Sequence, residues 1–369
     1  MSTIPGMAPY LLQHLKVLAG ANEPSAKITP SGFLKLLVDN TPSLGIADHE
    51  RMRLNNSNGQ LRDIRLWTYS RNSPDMVTET QSCEAGTLPL RVEFTLDTPF
   101  YAQRTFTIGE NYIERYTEDA VQTVALGTSP TPLMNELIQA IFSEANAIVG
   151  KMDQRLLGAI TFGTNITNGL TSKTINIEKN TLVNDLSEGI VALMADAQAN
   201  ELYGTLLIAG SGLMNNNEIR RRLNGLRDSS AEGYQWYADH YAKTAWGTDM
   251  VGVFAPGTVG FIDVNRMVGF RQRNYGTYQS FQLPIPIETT SGYASTLYFD
   301  IELRFSDCPT TVAARCGSGT YTIPAGWSVT ISKTYGLYQM PTSVYDCGDR
   351  LTGTNGALKY LITNTAESL

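Results

Sequence analysis

Gly210, Ser211 and Gly212 are the residues best placed for chemistry. They follow an apolar run, Leu202–Ala209, and precede a helical stretch, Met214–Leu223, that carries Arg220, Arg221 and Arg222. Backbone N–H groups at such a strand-to-helix turn can hold phosphate. The pattern is incomplete. Asn215 stands where the third glycine of a dinucleotide-binding turn belongs, and no acidic residue ends a following strand at the expected offset. The simpler reading is a tight turn, with the three arginines and nearby Arg227 on a solvated helix face.

The other chemically capable residues are scattered. His14, His49 and His240 lie far apart. His240 sits in Trp236-Tyr237-Ala238-Asp239-His240-Tyr241, where Asp239 is adjacent to it and the aromatics read as packing. A nucleophilic triad needs its base oriented by an opposed acid, so a satisfied structural histidine is expected. Cys83, Cys308, Cys316 and Cys347 form no CxxC pair and have no histidine close by, which argues against zinc. A Cys308–Cys316 or Cys308–Cys347 bridge is open to a protein that reaches oxidising surroundings, whereas half-buried thiols suit a cytoplasmic product. Glu114, Glu118 and Asp119 share a helical stretch and read as a solvated face. Asn55-Asn56-Ser57 and Asn165-Ile166-Thr167 match a glycosylation sequon by chance, given no leader ahead of them. We assign no catalytic, cofactor-binding or metal-binding residue from the sequence, and no cofactor is expected.

Composition narrows the class. With 369 residues and 42% hydrophobic content, the chain can bury a large core in one elaborate domain or in two or three. Charged residues are 17%, against roughly 25% in ordinary soluble proteins. Uncharged polar surface suits packing against other subunits, because few ions must be desolvated. Secreted β-proteins share this trait. A net charge of −7 disfavours a dedicated nucleic-acid binder, though not a container that leaves its cargo ungripped. No apolar run approaches the roughly 20 residues of a membrane span. Leu11, Leu12, Leu15 and Leu18 recur at helical spacing with no basic stretch ahead, so cytoplasmic synthesis without a signal peptide is expected.

The elements that must position these residues begin with a broken N-terminal arm. Short helical stretches, Tyr10–Leu18 and Gly32–Val38, alternate with Pro24, Pro30 and Pro42. Ile64–Tyr69 reads as a strand. Leu88–Thr95 and Tyr101–Ile108 read as the two strands of a projecting hairpin facing each other across Leu96–Phe100. A polar helical stretch, Asn111–Val124, and a Gly/Pro break follow. Leu133–Leu157 then reads as a long amphipathic helix, with Met134, Ile138, Ile141, Ala145, Ile148, Met152 and Leu156 on one stripe. Thr131 suits its N-cap and Pro132 its first turn. Gly158–Asn180 is a connector rich in Gly, Asn and Thr. Leu182–Ala197 reads as a helix. Asp249–Phe254 and Thr258–Val264 read as strands joined by Pro256-Gly257. Leu297, Phe299, Ile301, Leu303 and Phe305 alternate with polar residues as a half-buried strand. Thr320–Ile323 and Trp327–Ser332 bracket Pro324-Ala325-Gly326 as a second hairpin. The tail Leu358–Ile362 is short and apolar, and suits an edge strand returning to an earlier domain.

This order resembles the major capsid proteins of tailed phages, which share the Hong Kong ninety-seven fold. The resemblance runs from about Gln81 onward. It includes Met152-Asp153-Gln154-Arg155-Leu156-Leu157 followed by Thr161-Phe162-Gly163-Thr164-Asn165. It also includes Gly247-Thr248-Asp249 leading into Phe254-Ala255-Pro256-Gly257-Thr258-Val259-Gly260-Phe261. It implies an α+β fold with an N-terminal arm (1–75), an extended hairpin loop (76–110), a peripheral domain with a spine helix (111–183), an axial α/β domain (184–350) and a C-terminal return (351–369).

The resemblance further implies pentamers and hexamers of an icosahedral virion shell around double-stranded DNA, held non-specifically. Assembly would take place in the host cytoplasm, with portal, scaffolding or decoration proteins as partners and no membrane. Assembly residues would be Arg91, Glu93, Phe94, Asp97, Phe100, Tyr101, Arg104 and Phe106, in which the charges set register. Lysine cross-linking through the loop, known in some members, is not expected, because 97–104 contains no Lys. Other readings are an encapsulin-type container, a nucleotide-dependent enzyme using Gly210–Gly212, and a tail or appendage protein.

Overall fold

A computed structural model describes residues 28, 30–40, 64–69, 91–96, 100–109, 132–165, 168–176, 184–200, 202–210, 234–247, 250–264, 273–274, 278–289, 292–306, 310–313, 319–323, 326–339 and 356–363. In chain order the elements are α1 (Gly32–Asn40), β1 (Ile64–Tyr69), β2 (Arg91–Leu96), β3 (Phe100–Gly109), α2 (Pro132–Ala159), β4 (Ser172–Asn176), α3 (Asn184–Ala199), β5 (Leu206–Gly210), β6 (Tyr234–Ala238), α4 (Ala242–Trp246), β7 (Met250–Phe254) and β8 (Val259–Val264). They continue with β9 (Arg273–Asn274), β10 (Tyr278–Thr289), β11 (Gly292–Ser306), β12 (Thr310–Ala313), β13 (Thr320–Ile323), β14 (Gly326–Gln339) and β15 (Ala357–Thr363). The fold is α+β. One compact unit comprises Met1–Pro30, Phe100–Met152 and Asp263–Tyr335; the other comprises Ser31–Pro99, Asp153–Ile262 and Gly336–Leu369.

The first unit is built on the antiparallel order β3-β14-β11-β10-β9. The sequence alternation over Leu297–Leu303 becomes one buried face. Phe281 pairs with Ile301, Leu283 with Phe299, and Ile301 with Ile331, all of them buried. A half-buried strand turns every second side chain inward, so this register follows from the pattern. Pro284 and Pro286 have no N–H to give to a further strand. Among the described residues, β9 pairs with Gln279 and Ser280, and Ile28 bridges in parallel to Ile287. Helix α2 has 28 residues, so it runs about 42 Å at 1.5 Å per residue. Within this unit Ile141, Phe142, Ala145, Ile148, Val149 and Met152 form its buried stripe.

The second unit holds the mixed sheet β4-β15-β7-β5-β6. Strands β15 and β4 are parallel, as are β5 and β6, whereas β7 runs antiparallel to both β15 and β5. Leu193, Leu206, Ile208, Val251, Val253 and Tyr360 lie at the heart of one apolar cluster. A second, aromatic cluster joins Phe33 of α1 to Trp246 (5.6 Å) and Phe254 (5.7 Å), with Phe162 against Trp246 (5.3 Å). Trp246 Nε1 donates to the Leu157 carbonyl at 2.9 Å. Strand β8 pairs with β14.

Four sequence expectations are corrected. Strands β2 and β3 do not face each other: β2 pairs with β1, and β3 pairs with β14 along its full length. Strand β13 pairs with β12 rather than with β14. Each strand is matched in length by the partner it takes: β2 pairs over six positions with β1, and β13 over four with β12, the strand before it in the chain, which leaves β14 to pair over ten with β3. The return strand β15 is internal, between β4 and β7, because the connector supplies β4. Helix α1, expected as part of a loose arm, is seated with Phe33, Leu34, Leu36 and Leu37 fully buried. No helix among the described residues is long and apolar enough to cross a membrane.

Candidate assembly surfaces and buried polar centres

The assembly residues expected from sequence fall into two places. Arg91, Glu93 and Phe94 lie on β2, opposite Tyr69, Trp67 and Leu66 of β1. Antiparallel pairing places Ile64 opposite Leu96 and Leu66 opposite Phe94, whereas Trp67 is opposite Glu93 and Tyr69 opposite Arg91. Asp97 lies outside the described residues. Phe100, Tyr101, Arg104 and Phe106 lie on β3, which hydrogen-bonds to β14 alone among the described strands and is an edge of its sheet.

On β3 the side chains alternate. Tyr101, Gln103 and Thr105 are exposed, whereas Phe100, Arg104 and Phe106 are half-buried. Phe100 stacks at 5.5 Å on Tyr335, and Arg104 Nε donates to Glu144 Oε2 of α2 at 2.7 Å. The Arg104 charge is thus engaged within its own unit. Tyr101 is the outward aromatic, 41% exposed, with its hydroxyl donating to Gln103 Oε1 at 2.7 Å. Thr105 and Thr330 hydroxyls meet across the strands at 3.0 Å.

Three buried polar centres escaped the sequence reading. In the first unit Lys333 is 1% exposed, pairs with Asp263, and donates to the Tyr298 carbonyl at 2.7 Å. Burial pulls its ammonium below the usual lysine range, and the Asp263 and Asp300 charges oppose that shift. Its signal was the alternation Val329, Ile331, Lys333, which puts an amine on the inward face.

In the second unit Asp196 of α3 collects Asn165 Nδ2 (2.5 Å), the Tyr360 hydroxyl (2.8 Å) and the Lys173 ammonium. Burial and the Asp196 carboxylate raise the Tyr360 phenol. This centre ties β4, α3 and β15 together, and every partner is satisfied, as a buried network requires.

The third centre is the pair Asp153 and Asp239. Phe33 N–H donates to Asp239 Oδ2 at 2.8 Å, and Leu34 N–H donates to Asp153 Oδ1 at 3.0 Å. Asp239 Oδ1 also accepts from Tyr241 N–H (2.8 Å) and Ala242 N–H (3.3 Å) at the start of α4. Desolvation and the neighbouring Asp239 raise the Asp153 carboxyl to about 9. The signal was an acid inside a helical apolar stripe, at Ala145, Val149, Asp153 and Leu157.

His240 is exposed and its ring lies 3.7 Å from that of Tyr241, so the aromatic packing expected around it lies at the surface. Gly210 has a structural reason. A Cβ there would meet Val251 Cγ1 at 2.7 Å and the Met250 carbonyl at 2.9 Å, so close packing on β7 demands glycine. Ser211, Gly212, the arginines at 220–222, Cys308, Cys316 and Cys347 lie outside the described residues.

No family model matches the chain, and no curated protein matches it. Among solved structures it is similar to the capsid of Cyanophage P-SCSP1u, with 10% identity over 83% of this chain and 85% of that one and a TM-score of 0.41. It is also similar to a structure from Mycobacterium phage Bobi (13% identity, 82% and 86% covered, TM-score 0.41). A third is the capsid of Myoviridae Phage XM1 (11% identity, 86% and 92% covered, TM-score 0.37).

Proposed function

We propose that this chain is a major capsid protein, whose copies assemble into pentamers and hexamers of an icosahedral shell around double-stranded DNA. It works by assembly and without turnover. The β1–β2 ribbon carries this reading. Its strands pair with each other and, among the described residues, with no third strand. A two-stranded ribbon is marginal in water on its own, so it calls for a covering surface, which a neighbouring copy supplies. The ribbon replaces the hairpin of residues 76–110 as the extended loop, and Arg91, Glu93 and Phe94, with Asp97 beside them, are its contact residues.

The order of elements supports the same reading. Ribbon, 28-residue helix, mixed sheet and internal return strand follow one another as extended loop, spine helix, axial domain and C-terminal return. Tyr101 and the edge strand β3 form the second contact surface, and Phe100, Arg104 and Phe106 fix that strand from behind. Many weak contacts per subunit suffice, because avidity accumulates over the shell. The net charge of −7 suits a wall that does not grip its DNA. Portal, scaffolding and decoration proteins are the further partners, the virion is the location, and the host cytoplasm is the place of assembly. Cysteine pairing among Cys308, Cys316 and Cys347 belongs to the released particle.

Sedimentation and negative-stain imaging of the expressed chain test the proposal. Closed shells are expected. A compact monomer at every concentration would sink it, and rods or rings would indicate an appendage protein. Particles filled with protein cargo instead of DNA would indicate an encapsulin-type container.

A further inference from the structure

Helix α1 has an unusual N-terminus. The first turn of a helix leaves N–H groups without intrahelical partners, and a local Ser, Thr, Asp or Asn ordinarily accepts from one of them. Ser31 stands at that position, yet its hydroxyl is buried without a hydrogen bond. Two carboxyl groups from distant parts of the chain take over: Asp239 holds Phe33 N–H and Asp153 holds Leu34 N–H. Both are buried, Asp153 at 0% and Asp239 at 1% exposure. Gly32 lies so close to Ala238 that a Cβ would stand 2.1 Å from its carbonyl oxygen. The helix is therefore seated against two acids with no slack.

The acids are unequal. Both oxygens of Asp239 are engaged, by three backbone N–H groups in all. Asp153 Oδ2 is buried and has no partner. Burial strips the two neighbouring carboxyl groups of hydration and their charges repel, so a shared negative charge is favoured over two. Apart from Tyr237, the other titratable or charged groups on the surrounding elements sit toward solvent or at partial burial. Lys35 and Asp39 of α1 are half-buried, as is Tyr241, whereas Lys151 and Arg155 of α2, His240, and Lys243 of α4 are exposed. Tyr237 is buried, and its hydroxyl points to Gln235 (2.8 Å) and Asp39 (3.4 Å). Strands β5 and β7 bring no titratable group.

We propose that Asp153 and Asp239 form a one-proton latch on helix α1: the helix stays seated while Asp153 carries a hydrogen, and its release is coupled to loss of that hydrogen. The latch goes beyond the shell reading and does not rest on it. Seated, Asp153 holds its proton up to about pH 9. Released into water, its carboxyl ionises near the ordinary value of about 3.9. Between those values the seated state binds one more proton than the released state. Each pH unit therefore favours release by up to about tenfold, and the effect levels off above about pH 9. Alkalinity loosens the N-terminal segment while the sheet behind it keeps its hydrogen bonds.

Amide hydrogen exchange of the full chain, read by mass spectrometry and corrected for intrinsic exchange rate, tests this. The opening constant of the peptide spanning 31–40 should rise by up to about tenfold per pH unit between about pH 6 and about pH 9. Peptides from β5, β7 and β15 should open less than this one at every pH in that range. Asp153→Asn keeps an oxygen for Leu34 N–H and adds an N–H toward Asp239, with nothing to lose, so its slope should vanish. A pH-independent opening constant in the wild-type chain overturns the latch without recourse to any variant. A variant that retains the wild-type slope overturns it too.

Discussion

The ring of Tyr338 occupies the place where residue 260 would carry a side chain. A Cβ built on Gly260 would lie 2.1 Å from Tyr338 Cε1 and 2.2 Å from its hydroxyl oxygen. Strand β8 thus packs onto β14 only because position 260 is bare. Gly260→Ala forces the buried ring out of its place, and overpacking of this kind costs about 1–3 kcal/mol. Urea denaturation should show that loss, and adding Tyr338→Leu should recover part of it. Equal stability of wild type and Gly260→Ala would refute the contact.

Lys333 and Asp263 should respond asymmetrically. Asp263→Asn leaves a buried ammonium without its counter-charge, and breaking a buried pair in this way costs about 3–5 kcal/mol. The low end is expected, because the Asp263 side chain is 27% exposed and water screens part of the loss. Lys333→Met takes a donor from Asp263 and from the Tyr298 carbonyl but leaves no buried ammonium, and Asp263 can reach water, so it should cost less than Asp263→Asn. Denaturation midpoints of the two variants compare directly, and a costlier Lys333→Met would contradict the burial argument.

Global stability should also carry the Asp153 signature. Its folded carboxyl is raised to about 9, so the unfolded chain loses this proton first as pH rises. That group then shifts the folding equilibrium toward the unfolded chain as pH rises between about pH 4 and about pH 9, and no further above. The stability difference between Asp153→Asn and wild type should therefore grow with pH across that window. A difference that stays constant would rule the shift out.

Gly32→Ala tests the seat of α1 sterically. The nearest atoms are backbone, the carbonyl of Ala238 at 2.1 Å, so no side chain can move aside. Helix propensity alone favours alanine by about 1 kcal/mol. The expected result is nevertheless a lower thermal midpoint, together with easier proteolytic removal of the N-terminal segment. A raised midpoint would mean that the helix does not sit where it is described.

The ribbon prediction concerns assembly. Replacing residues 64–96 with a short Gly/Ser linker removes β1 and β2 and spares β3, which is integral to its sheet. The variant should fold, with helix content and unfolding cooperativity close to wild type, and should form no shells by sedimentation. Normal shells from this variant would remove the basis of the proposed function.

What the sequence conveys well is periodicity. Helix α2 was expected over Leu133–Leu157 and spans Pro132–Ala159, because its apolar stripe recurs for seven turns. Strand β11 follows equally from the alternation Leu297 to Leu303. Partner choice is a different matter. Phe94 and Tyr101 are seven residues apart, yet their strands belong to different sheets, because pairing depends on which distant surface completes each register. Buried charge was missed for a related reason. Asp153 and Lys333 obey the local pattern only as exceptions to it, and their partners Asp239 and Asp263 are distant in sequence. For the proposed contact residues, sequence located the strands but not the faces: Tyr101 points outward, whereas Arg104 turns back to Glu144.

Strand β15 sits between β4 and β7, although 181 residues separate Asn176 from Ala357 in numbering (357 − 176). Until residues 357–363 emerge from the ribosome, β4 and β7 have a strand-wide gap between them and the Asp196 centre lacks Tyr360. Loop closure over such a span is slow, and exposed strand edges invite wrong partners meanwhile. Completion of this sheet therefore waits for residues 357–363. A chain interrupted before residue 357 is a marked product, with an open sheet that quality-control proteases can recognise.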